Sequence, residues 1–187
     1  MSGWHLWKSI AWAVCLCLAG SLVLPQASYA RTAQEIDAGV NAVLDQFMKQ
    51  VKGSREFLQT ARGVLVFPGV IKAGIGVGGE YGEGALRIRG KTAAYYSIAA
   101  ASIGLQLGAQ KKDIIIVFLQ DQALSSFQAS QGWRIGADAS VVLIDLGTDA
   151  SIDSSKVNKP IVGFVIGQKG LMYNLTLEGS KITKLKK

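Results

Sequence analysis

Three groups of residues in this 187-residue chain have the types and spacing to do chemistry. The first is Gly74-Ile75-Gly76-Val77-Gly78-Gly79, which matches the Gly-x-Gly-x-x-Gly spacing that cradles pyrophosphate. The second is a set of carboxylates: Asp145, Asp149 and Asp153 spaced four apart, and Glu80 near Glu83. The third is a set of cations: Arg87, Arg89 and Lys91, then Lys111-Lys112, then Lys181, Lys184, Lys186 and Lys187.

A phosphate loop needs a strand before the glycines and a helix N-terminus directly after them. Here Glu80, Tyr81, Gly82, Glu83 and Gly84 follow and lead into the alternating Ala85-Leu86-Arg87-Ile88-Arg89. The two glutamates would repel an anion, and alternation indicates a strand. Gly74, Gly76 and Gly78 recur every second residue, so they read as structural glycines: a strand face without side chains that lets a neighbour approach. The three aspartates could hold Ca²⁺, which takes oxygen ligands, but their spacing is not that of an EF-hand loop. A solvated loop is the plainer reading. Glu80 and Glu83 are too close in sequence to flank one glycosidic bond. No metal site and no cofactor are expected.

Residues 1–30 read as a secretory signal peptide. Lys8 lies in a short leading segment, Ile10 to Leu24 is a nearly unbroken apolar run, and Pro25 breaks it. Ser28-Tyr29-Ala30 then offers small residues at the positions a signal peptidase reads. A retained N-terminal anchor is the alternative. Cleavage after Ala30 would remove Cys15, Cys17 and the single histidine, His5. The remaining chain, 31–187, then has no thiol or imidazole, which excludes disulfides, Cys or His catalysis and the usual zinc sites. It is expected to be one domain and not an enzyme. The full chain has 20 basic and 13 acidic residues, a formal charge of +7; without Lys8 the charge is +6. In an exported protein that balance favours anionic phospholipid or acidic polymers, and no nucleic acid.

Thr32-Ala33-Gln34-Glu35 has the form of a capping box. Ile36, Val40, Val43, Leu44, Phe47 and Val51 follow on one helical face, expected to pack on the core. Gly53 should end this helix, and Ser54 should cap a shorter one through Phe57 and Leu58. From Gly63 the period changes to two. About eight or nine short strands are expected, the first ending at a Pro68-Gly69 turn, with further turns at Gly90-Lys91 and Lys111-Lys112. Asp121 should cap a short helix near 121–128. The expected fold is α+β: mainly β, an antiparallel sandwich or barrel-like sheet, with one or two N-terminal helices.

Ordered blocks across 31–187 resemble the SYLF domain family. They are "ARGVLVFPGVIKAGIGVGGEYGEGAL", "AAYYSIAAASIGLQLGAQKKDIIIVFLQDQALSSF", "WRIGADASVVL" and "VIGQKGLMYNLTLEGSKI". The resemblance implies a lipid-binding, β-rich domain. Eukaryotic members bind phosphoinositides and some engage actin, whereas exported bacterial members are described as lipid-binding. No SH3 or FYVE segment lies within these residues, and export would separate the chain from actin, so only lipid binding in general is carried over. The cations named above are the expected head-group contacts: Arg87, Arg89, Lys91, Lys111, Lys112, Lys181 and Lys184. Tyr95, Tyr96, Trp133 and Tyr173 are aromatics that would line an acyl pocket if there is one, or pack in the core. The expected function is an exported, non-catalytic protein on an anionic membrane surface, periplasmic or secreted. The alternative is an envelope interaction protein assembling through sheet edges. A small outer-membrane barrel is disfavoured by the leading helix and by the Lys184-Leu185-Lys186-Lys187 ending, which lacks a terminal aromatic.

Overall fold

The computed structural model describes residues 30–144, 151–152, 157–167, 170–171 and 177–187, with side chains at 74–77, 102–109 and 170–171 left out. Residues 31–187 form one compact unit. It opens with helix α1 (Ala33–Gln50) and α2 (Ser54–Gln59), followed by two very long strands, β1 (Gly63–Ile88) and β2 (Lys91–Phe118). Then come α3 (Asp121–Ala129), β3 (Gly132–Arg134), β4 (Val142–Leu143), β5 (Ile161–Gly167), β6 (Gly170–Leu171) and β7 (Lys181–Leu185). The fold is mainly β with an N-terminal helix and a short later helix, as the sequence pattern indicates.

The capping box forms as written. Thr32 Oγ1 accepts from Glu35 N at 3.2 Å, and Glu35 Oε2 accepts from Thr32 N at 2.7 Å. These bonds hold the Glu35 carboxyl below its ordinary range, the backbone bond from Thr32 contributing most. Two caps differ from expectation. Ser54 lies inside α2, where its hydroxyl donates to Val51 O at 2.6 Å, and Gly53 (φ +79°) is the cap. Asp121 is the first residue of α3, with Gln120 at the cap position.

The larger correction concerns strand length and turns. Sheet order is β3-β7-β2-β5-β4, with β1 paired to β2 and β6 to β5. Pro68-Gly69 is a bulge inside β1 rather than a turn: the register with β2 slips between Phe67 and Val70, and Gly69 has φ +60°. Proline has no ladder N–H to lose, so a bulge accommodates it. Lys111-Lys112 lies within β2 and makes no turn. The hairpin between β1 and β2 turns at Arg89 (φ +51°) and Gly90 (φ +77°), two successive positive φ values of the kind a two-residue hairpin turn requires.

β1 curls so that its two halves approach each other. A Cβ on Gly82 would lie 2.7 Å from Val70 Cγ2, and one on Gly84 would overlap the Val66 carbonyl. The segment containing Gly74, Gly76 and Gly78 therefore spans the arc that joins these halves, running alongside 102–108 of β2. A second register shift, between Gly74 and Gly76, gives the β2 side two extra residues. Close backbone contacts of the kind expected at Gly74, Gly76 and Gly78 are seen at Gly82 and Gly84; the surroundings of Gly74 and Gly76 lie outside the described residues.

Both faces of the sheet are covered. Val64, Val66, Ala85, Ile115, Val117, Val162 and Phe164 pack under α1 and α2, with Ile36, Val40, Phe47 and Phe57. Leu65, Phe67, Leu86, Ile114, Ile116 and Phe118 point to the opposite face and pack with Leu124 and Phe127 of α3 and with Trp133. This explains why the runs 63–67 and 114–118 are apolar throughout instead of alternating. Each such side chain contributes about 2 kcal/mol on burial.

Candidate functional site

The seven cations of the sequence reading do not form one cluster. Two of them serve the interior. Arg87 is held beneath α1, its side chain 14% exposed, with Nη2 3.3 Å from Asp37 Oδ1 and 2.9 Å from Asn41 Oδ1. Asp37 also accepts from Thr92 Oγ1 at 2.8 Å and Tyr95 Oη at 2.9 Å, so one carboxylate ties α1 to the hairpin. Burial, reinforced by that bond, raises the Tyr95 phenol above its ordinary value. Lys112 is only 5% exposed, with Nζ 2.7 Å from Glu80 Oε2; Lys72 reaches the same carboxylate at 3.8 Å.

The other five are exposed or nearly so, and none makes an ion pair among the described residues. Arg89 and Lys91 flank the hairpin turn. Lys184 stands on β7 opposite Tyr96, a few residues along β2 from Lys91. Lys181 lies at the other end of β7 beside Gly132. Lys111 is at the arc end, its aliphatic chain against Gly69. From Gly82 to Arg89 the strand covers roughly 20 Å at about 3.3 Å per residue, which separates Lys111 from the turn-end cations. Arg89 and Lys91 thus share the turn, and Lys184 lies about 16 Å along the sheet from it, five residues of β2 away.

The aromatics pack inside. Tyr96 stacks near Phe127 with ring centroids 4.9 Å apart, and Trp133 meets Phe127 edge-on at 5.2 Å. Tyr96 and Trp133 therefore belong to the core, Trp133 also bordering a surface cleft; Tyr173, Asp145, Asp149 and Asp153 lie outside the described residues. Among the described residues no group of three or more carboxylate, thiol or imidazole side chains could hold a metal ion, and no helix is long and apolar enough to cross a membrane. Among the described residues the concavities seen are open surface clefts. One lies between Trp133, Val142, Pro160 and Ile161, at about 460 Å³.

Sequence reasoning missed a second charge centre, built on Glu83. This carboxylate is 7% exposed, and its Oε2 receives Lys187 Nζ at 2.9 Å and the Arg31 backbone N–H at 3.1 Å. Tyr81 Oη donates to Oε1 at 3.0 Å. The only sequence signal for it was a glutamate set among the small and apolar residues Gly82, Gly84, Ala85 and Leu86.

Residues 99–187 match the family described as Ysc84, Las17-binding protein actin regulator. The chain is also 28% identical over 131 residues to SH3 domain-containing YSC84-like protein 1 of Bos taurus. Both matches point to the SYLF domain family. The alignment takes in 67% of this chain and 38% of the bovine protein, so the chain spans well under half of that relative. The matched region 99–187 includes the second half of β2, with Lys111 and Lys112, and the β7 cations, whereas Arg87, Arg89 and Lys91 precede it.

Proposed function

We propose that this protein is exported and associates, without catalysis, with anionic phospholipid through the turn end of its long hairpin. The observation that carries the reading is the contrast within one set of cations. Arg87 and Lys112 are neutralised internally, while Arg89, Lys91 and Lys184 are presented to solvent with no carboxylate partner among the described residues. Unpaired Lys and Arg at a surface are attracted to an anionic leaflet by about 1 kcal/mol each. The aromatic packing supports head-group contact over acyl-chain capture, because Tyr96 and Trp133 fill the core.

Liposome sedimentation tests this. Changing Arg89, Lys91 and Lys184 together to Gln should cost about 3 kcal/mol, on the order of a hundredfold in affinity for phosphatidylglycerol vesicles. Neutral phosphatidylcholine vesicles should bind weakly, and salt should weaken binding to the anionic ones. Unchanged binding in the triple variant would refute the turn-end surface. The family description names an actin regulator. Co-sedimentation with actin filaments and none with vesicles would transfer the function to a protein partner.

A further inference from the structure

The Glu83 centre joins two distant parts of the chain. Oε2 holds Lys187 Nζ and the Arg31 nitrogen together, and Lys187 Nζ also donates to the Arg31 carbonyl. The Arg31 guanidinium turns the other way, with Nη1 2.9 Å from Pro68 O. Arg31 is thereby fixed by backbone and side chain before α1 begins. Ala30, just before it, is exposed, and the compact unit starts at Arg31. A residue at the edge of a fold is seldom anchored this heavily, and it takes the first place after the Ser28-Tyr29-Ala30 sequence.

In the uncut chain the Arg31 nitrogen is an amide and gives Glu83 a single neutral N–H. Hydrolysis of the Ala30–Arg31 peptide bond would put the Ala30 carboxylate on the released segment and leave the same nitrogen as an ammonium. That group carries a full charge and three donors beside a nearly dry carboxylate. Charge-assisted hydrogen bonds of this kind are about twice as strong as neutral ones. A second carboxylate, Glu35, accepts from Thr32 N and its hydroxyl and feels both Arg31 and Lys187, so the new cation joins the Lys187 ammonium and the Arg31 guanidinium in a region with two carboxylates.

We infer that Glu83 is a receptor for the α-amino group of Arg31, so that processing after Ala30 locks the amino end of α1 onto β1 and tightens the fold. The inference rests on the export reading, since it needs the cut. It makes residues 1–30 more than an address: their removal completes an ion cluster.

Both hydrophobic cores lie wholly within 36–182, so the 31–187 unit contains everything it packs on. The test compares this unit released from a cleavable fusion so that it begins at Arg31 with the same unit beginning at Ala30. One extra residue moves the ammonium about 3.8 Å along the chain and restores an amide at Glu83. The Arg31-first form should melt about 2–4 °C higher. The gain should vanish in Glu83→Gln and, independently of that variant's folding, on acetylation of the Arg31 amine. Equal melting of the two forms, or a gain that survives acetylation, would overturn the proposal. N-terminal sequencing of the exported protein addresses the underlying reading separately. A start other than Arg31 would defeat processing there, whatever the thermal comparison gives.

Discussion

The two ends of the β1–β2 hairpin handle charge in opposite ways. At the turn end, Arg89 and Lys91 stand in solvent without ion pairs among the described residues. At the arc end, Lys72, Glu80 and Lys112 bind one another, and Glu83 binds Lys187 and Arg31. The backbone explains the difference. Where β1 curls back on itself at Gly82 and Gly84, the strands come too close for water, and any charge left there must be paired. At the turn the chain has reached the edge of the sheet and solvent satisfies its charges. The same residue types are thus structural where β1 crowds itself or α1 covers them, as at Lys112 and Arg87, and exposed elsewhere, as at Lys111 and Arg89.

The most severe way to break this contrast is to prevent the curl. Gly84→Val would drive a branched side chain into the Val66 carbonyl and to within about van der Waals overlap of the Phe67 ring, where a Cβ already lies 2.7 Å from Cδ1. We expect a loss of about 4 kcal/mol or an insoluble product. Urea denaturation measures it, and a Gly84→Val protein of normal stability would show that the close approach is not needed.

The second test compares the two ends directly. Glu80→Gln strands Lys112 in a site that excludes water, and should cost about 3 kcal/mol of stability. Arg89→Gln, at the exposed turn, should stay within about 0.5 kcal/mol. The same urea series reads both variants. If the two substitutions cost the same, the division between structural and available charges fails.

The smallest effect is expected in alkali. Burial raises the phenols of Tyr96, Tyr95 and Tyr81, the last two also through bonds to Asp37 and Glu83. Their folded-state pKa values lie above those of the unfolded chain, so the protonated fold is favoured. That contribution is complete below about pH 10, the ordinary tyrosine value, and is lost as pH rises through the folded-state values. Melting temperature should therefore fall above about pH 10, while tyrosinate absorbance of the folded protein should lag behind that of the urea-unfolded chain. Tyr95→Phe removes the phenol shared with Asp37 and should flatten part of the decline.

Much of this molecule was legible from local sequence. The capping box at Thr32 and Glu35, the apolar face of α1 and the strand character of 63–67 and 114–118 follow from side-chain chemistry and spacing alone, because each depends on residues within a turn or two of one another. The rejection of a phosphate loop held for the same reason: no helix follows Gly79, and β1 runs on to Ile88. Tertiary structure decided which punctuation marks were real turns. Pro68-Gly69 and Lys111-Lys112 have turn-like sequences, yet the ladder with β2 passes through both, since pairing along two long strands outweighs a local preference at a single dipeptide. It also decided the fate of each cation. Nothing near Arg87 or Lys112 in sequence announces Asp37 or Glu80, which lie 50 and 32 positions away and meet them only because the sheet curls under α1. A charge shows its type in sequence, but its partner is a matter of three-dimensional proximity and of how much water the fold leaves beside it.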